Sequence, residues 1–156
     1  MYAEVLCTIV MALGMPNSDV ACKYMDVVVE ASEHYELEPE LLISLIHHES
    51  RWTPGAVSSS GACGLTQVLP KYTKNPKLSC KQLKNPQTSI WAGAKALDYW
   101  VHRYGRGGIK TGLCGYFAGF RCKGENKSPG GIRYSRKVRK LYRKILRKVQ
   151  ENIPGC

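Results

Sequence analysis

The 156-residue chain lacks an apolar stretch of membrane-spanning length. Its longest uncharged apolar run, Val5 to Met15, has eleven residues, where roughly 20 are needed to cross a bilayer. It has no C-x-x-C pair, no H-E-x-x-H and no glycine-rich phosphate loop, so tetrahedral zinc, zinc-protease chemistry and nucleotide binding have no support in its motifs. Internal repeats are absent, and nothing is of low complexity outside a basic end. Acids are also scarce after residue 49: only Asp98, Glu125 and Glu151 follow it, and between Asn126 and Gln150 ten bases face no acid at all.

The length is that of one compact domain, and with 44% hydrophobic residues a chain of this size buries enough surface to fold without a metal. Net charge is +11, unevenly spread: residues 1 to 49 hold nine acids against Lys23, whereas the positive charge lies downstream. Such a surface favours a polyanion, whether nucleic acid, anionic lipid or a bacterial wall. With no DNA-binding spacing, nucleic acid ranks last among these. Seven cysteines, at 7, 22, 63, 80, 114, 122 and 156, read as oxidised bridges of open connectivity. The odd one is left as a free thiol or an intermolecular partner. Val5 to Met15 has the length of a signal-peptide core, but its flank Met1 to Glu4 contains an acid and no base. Residues 1–21 are therefore read as an apolar packing helix or extension, 22–150 as the domain proper and 151–156 as a tail.

The first half reads as helical over Val5 to Leu13, Asp19 to Tyr35 and Pro39 to Glu49, the last opened by a proline where a missing N–H costs nothing. Thr53 to Pro70, rich in Gly, Ser and Pro, reads as an irregular or short hairpin segment. Helix is expected again at Thr88 to Arg103, Leu113 to Ala118 and Ser135 to Val149. In the last, Val138, Leu141, Tyr142, Ile145 and Val149 repeat at helical spacing. Its other face, Arg136, Lys137, Arg139, Lys140, Arg143, Lys144, Arg147 and Lys148, is a cationic strip that either grips phosphates, disturbs an outer leaflet or is simply solvated.

One residue stands out chemically. Leu42, Leu45, Ile46 and Glu49 share a helical stripe, so a carboxyl closes a core-facing row at the negative end of the helix dipole. Burial and dipole both raise its pKa, and a carboxylic acid still protonated near neutrality can act as a general acid, although helical geometry alone favours a structural Glu in a salt bridge. His47 and His48 precede it, but adjacent helical residues diverge by about 100°, and they read as packing or surface residues rather than metal ligands.

The run from Glu49 to Pro70 carries E-S-x-aromatic-x-P-x-A-x-S followed by G-A-x-G-L-x-Q. It resembles the lytic transglycosylases, the SLT-like, goose-lysozyme-related enzymes that cut peptidoglycan between N-acetylmuramic acid and N-acetylglucosamine. Tyr35 to Leu42, Ala92 to Leu97, Gly115-Tyr116-Phe117-Ala118-Gly119, and Tyr134-Ser135 with Val138 resemble the flanking motifs, so the likeness runs from about Cys22 to Ile145. It implies a mainly α, lysozyme-like helical domain with a substrate cleft, working without cofactor or metal and as a monomer. It implies Glu49 as sole catalytic acid/base, yielding a 1,6-anhydro sugar, with Ser50, Gly64, Leu65, Gln67, Tyr116, Phe117 and Tyr134 at the substrate. Gln67 would bond a sugar substituent, Tyr134 orient the acid, and Ser50 and Tyr116 support and line the cleft. Gly61 and Gly64 would permit a tight backbone path beside the sugar.

The scarcity of acids after Glu49 agrees with a reaction needing no second carboxylate. A hydrolytic muramidase on the same fold and a non-catalytic wall-binding module are the alternatives. The chain departs from the family pattern at Thr66, where Met is usual, and at Phe117, where Asn is usual. The cysteines at 63, 114 and 122 lie outside the general pattern and are expected to tie cleft loops together. Small size and the basic end suggest a phage lysis or virion enzyme, or a secreted one, acting on the bacterial wall, with the basic helix on an anionic wall or outer-membrane surface.

Overall fold

A computed structural model describes residues 1–153 and Gly155. Cys156, the odd cysteine, lies outside the described residues, as does Pro154 of the tail. The described residues form eight α-helices: α1 (Tyr2–Ala12), α2 (Ser18–Lys23), α3 (Met25–His34), α4 (Pro39–Ser50), α5 (Cys80–Leu83), α6 (Pro86–Asp98), α7 (Ile109–Ala118) and α8 (Pro129–Asn152). A 3₁₀ turn covers Pro70–Tyr72, and α6 runs on into a π-helical segment, Tyr99–Tyr104. Extended pairing among the described residues is limited to isolated antiparallel bridges that set Cys63 against Val57 and against Val68. The mainly α architecture is thus as expected, with the glycine-rich segment as its irregular part.

α4 is the centre of the packing. Leu42, Ile43, Leu45 and Ile46 are fully buried, and the helix packs against α3 on one side and α8 on the other. α8 buries Tyr134, Val138, Tyr142, Ile145 and Val149 and packs on α1, α4 and α7; of the stripe its sequence period predicts, Leu141 is only half-buried. Ties across these interfaces are polar as well as apolar. The Tyr142 hydroxyl donates to the Glu38 carboxylate at the start of α4, and the Tyr2 hydroxyl to the Glu40 carboxyl.

Several element boundaries differ from expectation. The helix read as Asp19 to Tyr35 is two, broken at Tyr24 (φ −109°, ψ 12°). The Cys7–Cys22 disulfide fixes α2 to α1, while α3 continues toward α4 and α6. The last helix begins six residues before Ser135, capped by Ser128, whose side chain accepts from the Gly131 N–H. Gly130 and Gly131 argue against helix in isolation. Here a Cβ at Gly131 would lie 2.6 Å from Cys114 Sγ, so the glycine is what lets α8 press onto α7. α5, opened by a Ser79–Gln82 capping box, was not anticipated.

Candidate active site

Glu49 sits in the last turn of α4, half-buried. The helix stops abruptly behind it: Arg51 (φ 50°) and Trp52 (φ 59°) both take left-handed backbone conformations, which cost non-glycine residues on the order of 1 kcal/mol each. The turn is held from two directions. Trp52 is fully buried, and the Asn17 side-chain amide donates to the Arg51 carbonyl at 2.9 Å. The reversal sends the chain into the glycine-rich segment, which returns to the end of α4 at the Ser50 side chain.

That segment is fixed to the helices by hydrogen bonds from the predicted site residues themselves. Ser50 Oγ donates to the Leu65 carbonyl at 2.7 Å, and Tyr116 Oη donates to the Thr66 carbonyl at 2.6 Å. Thr66 is buried and its hydroxyl donates to the Ser89 carbonyl, while its N–H donates to Ser89 Oγ. The Gln67 amide nitrogen donates to the carbonyls of Ala56 and Gly64, both at 3.0 Å. Gln67 therefore offers a ligand its carbonyl oxygen, an acceptor, rather than the donor–acceptor pair expected of a free amide. Cys63–Cys80 ties the segment to α5, and Cys114–Cys122 ties α7 to the loop that follows it.

Two site residues are placed differently from the expectation that they meet the sugar. Leu65 is fully buried, so its side chain belongs to the core and its carbonyl serves Ser50. Gly64 (φ +83°) has the Leu83 carbonyl only 2.0 Å from where a Cβ would stand. Contact with α5 is what demands glycine there. Gly61 (φ +88°) has open space around it and owes its identity to backbone conformation alone. Thr66 and Ser89 are the supporting pair the sequence did not reveal. A buried Ser in the first turn of a helix carries no period or motif to single it out; only the Thr in place of Met hinted at a changed seat.

Facing Glu49 are Tyr116 and Tyr134. The Tyr134 hydroxyl is buried with no hydrogen-bond partner among the described residues, yet it lies near enough to Glu49 for the two to influence each other's titration. Burial pushes the Glu49 carboxyl from 4.5 up to about 7, and the approach of Tyr134 partly offsets that rise. Both tyrosines are held well above 10, first by burial and then by the Glu49 charge. Among the described residues no other carboxylate contributes at Glu49: Asp98 pairs with His102 and Glu151 with Lys148. Phe117 stacks on Tyr134, centroids 5.0 Å apart at 24°, and is 56% exposed. It thus presents an apolar ring face beside the acid where the family pattern has an amide. His48 is exposed and His47 half-buried with Nδ1 unpartnered. Burial lowers both imidazole pKa values, so they are neutral near pH 7.

The site thus brings together one half-buried carboxyl, two tyrosine hydroxyls and a loop held by hydrogen bonds. Comparison with known proteins gives the family. Residues 26–137 match the family model of the transglycosylase SLT domain. The chain is 31% identical over 99 residues to a transglycosylase of Enterobacteria phage PRD1, covering 64% of this chain and 36% of that one. It is 45% identical over 49 residues to the membrane-bound lytic murein transglycosylase C of Edwardsiella ictaluri, covering 31% of this chain and 14% of that one. Its fold resembles that of an inactive mutant of the lytic transglycosylase Slt from Pseudomonas aeruginosa, with a TM-score of 0.70 at 20% identity over 80% of this chain and 24% of that one. The chain thus spans about a third or less of the length of these relatives. With the model match covering well over half of its residues, the chain belongs to the transglycosylase SLT domain family.

Proposed function

We propose that the protein is a peptidoglycan lytic transglycosylase that cleaves the β-1,4 bond between N-acetylmuramic acid and N-acetylglucosamine and leaves 1,6-anhydro ends. The observation that carries this is a lone carboxyl, half-buried and held at about 7, with no second carboxylate acting on it. Protonated near neutrality, Glu49 gives its proton to the glycosidic oxygen as that bond breaks. As a carboxylate it then takes the proton of the muramoyl 6-hydroxyl, whose oxygen closes on C1. The proton account balances, and the acid is regenerated without water. Tyr134 steers the carboxyl, Gln67 accepts a hydrogen bond from a sugar N–H or O–H through its free oxygen, and the Phe117 face takes the apolar side of a sugar ring. Ser50, Tyr116 and the backbone of Gly64 and Leu65 hold the wall of the cleft.

The enzyme's place of work follows from its charge. On α8, Arg133, Arg136, Lys137, Lys140, Arg143, Lys144 and Arg147 are exposed, and none is paired with an acid among the described residues. We place this face against the anionic wall or outer-membrane surface of a bacterium, with the protein acting as a phage lysis or virion enzyme. Mass spectrometry of a digest of purified sacculi tests the reaction. Anhydro-ended fragments are expected; reducing ends heavier by one water would make it a muramidase, and intact sacculi a non-catalytic module. Glu49→Gln, with its fold verified, should release nothing.

A further inference from the structure

On the side of α7 and α8 away from the cleft lies a small cavity of about 110 Å³. On α8, Tyr134 points at Glu49, whereas Arg139, five residues on, is turned roughly 140° around the helix. The cavity is floored by the Cys114–Cys122 bridge and lined by Lys110, Lys127, Arg139, Thr111 and Ser135, with no acidic residue. None of its three cations is in an ion pair among the described residues. Arg139 is also positioned: its Nε donates to the carbonyl and hydroxyl oxygens of Ser135, at 3.3 and 3.2 Å. Ser135 is itself buried and anchored to the Lys110 carbonyl at 2.8 Å. With Nε held, the terminal guanidinium nitrogens are left to a ligand. The neighbouring guanidinium groups of Arg136 and Arg143 repel its charge, so an anion arriving there relieves repulsion as well as making contacts.

We propose that this cavity is a binding site for a phosphate monoester group, separate from the glycan cleft and independent of the reaction assigned to it. Charge selects the ligand. A water needs about 10–15 Å³ of such space, so a cavity of about 110 Å³ has room for a tetrahedral oxyanion. Three cations offset both charges of a dianion with three terminal oxygens, where a carboxylate brings one charge and two oxygens. A guanidinium fixed at one edge suits phosphate oxygens for the geometric reason that makes arginine common in phosphate sites.

The test is titration of the full chain, followed by amide chemical shifts at constant ionic strength. Inorganic phosphate is the small probe, vesicles containing phosphatidic acid are the membrane-borne probe, and acetate is the control. Saturable shifts at Thr111, Lys127 and Ser135 are expected, with a Kd of about 1 mM or tighter, and they should be weakened about tenfold in Arg139→Gln. Lys127→Gln, in a surface loop, provides a second variant that does not disturb helix packing, and should weaken binding as well. Response to phosphate alone marks a site for the free anion, and response to vesicles that is lost in Arg139→Gln marks a lipid-borne phosphate; either supports the site. The proposal is overturned if acetate matches phosphate, if shifts spread evenly along the exposed lysines of α8 without saturating, or if Arg139→Gln and Lys127→Gln both bind as the unaltered protein does.

Discussion

Glu49 sets the pH behaviour of the molecule at the scale of one residue. A folded pKa of about 7 against 4.5 for an ordinary carboxyl means that the native state holds a proton the unfolded chain has already released. The side chain thus costs no stability below about pH 4, costs progressively more as pH rises toward 7, and levels off above. Glu49→Gln keeps the shape and removes the charge. It should match the unaltered protein in denaturant unfolding at pH 4 and exceed it at pH 8 by up to roughly 3 kcal/mol, with no activity at either pH. Equal stability at both pH values would show that the carboxyl is well solvated. Activity should fall as pH rises through 7, because the proton donor is lost. Since Tyr134 lowers the Glu49 pKa, Tyr134→Phe should move that falling limb to higher pH while reducing kcat, a shift read from the pH–rate profile. The apolar helical stripe marked Glu49 as an unusual acid but fitted a structural salt bridge as well, and it was the motif running from Glu49 to Gln67 that pointed to an acid/base role. What its neighbours do was less so, because a motif gives residue identity and not the atom used. Leu65 and Gly64 act through backbone and packing, and Gln67 spends its donors on Ala56 and Gly64.

Among the elements, the glycine-rich segment owes its shape to contacts with helices distant in sequence, and this is why it read only as irregular. Its hydrogen bonds run to Ser50, Ser89 and Tyr116, and its bridge runs to α5. The same holds for the boundaries that differed. Apolar periodicity continues through Tyr24 although the backbone does not, and Gly130–Gly131 entered α8 because Cys114 and Phe117 crowd that surface. Gly64→Ala tests the packing directly. Its Cβ would stand 2.0 Å from the Leu83 carbonyl at φ +83°, a clash with backbone that no side-chain rotation relieves. The variant should lose about 2 kcal/mol or more of stability and raise KM as the segment shifts. The double variant Cys63→Ser, Cys80→Ser opens a loop with a sequence separation of 17 and should cost about 3 kcal/mol in the chain-entropy account, read by thermal unfolding. By contrast, Gly61→Ala meets only the left-handed backbone penalty, on the order of 1 kcal/mol.

For the molecule as a whole, charge and catalysis are spatially separate properties. The acid-rich first 49 residues build α1 to α4, in which Glu38 and Glu40 are used for internal ties to Tyr142 and Tyr2, while α8 turns its apolar stripe inward and its bases outward. Attraction to a polyanionic surface should therefore be separable from bond cleavage. Charge reversal at two exposed positions, Lys140→Glu with Lys144→Glu, lies away from Tyr134 and leaves the buried stripe intact. At low ionic strength this variant should sediment less with whole sacculi and clear them more slowly, while its turnover of short soluble glycan fragments stays that of the unaltered protein. Raising salt should bring the two proteins together on sacculi, because the interaction is screened beyond about 10 Å at 0.1 M. If the variant instead lost turnover on the soluble fragments in proportion, α8 would serve the cleft itself and the cationic face would have no role as a separate docking surface. If both proteins sedimented alike at every salt concentration, the face would be a solvated exterior, and contact with the wall would rest on the cleft alone.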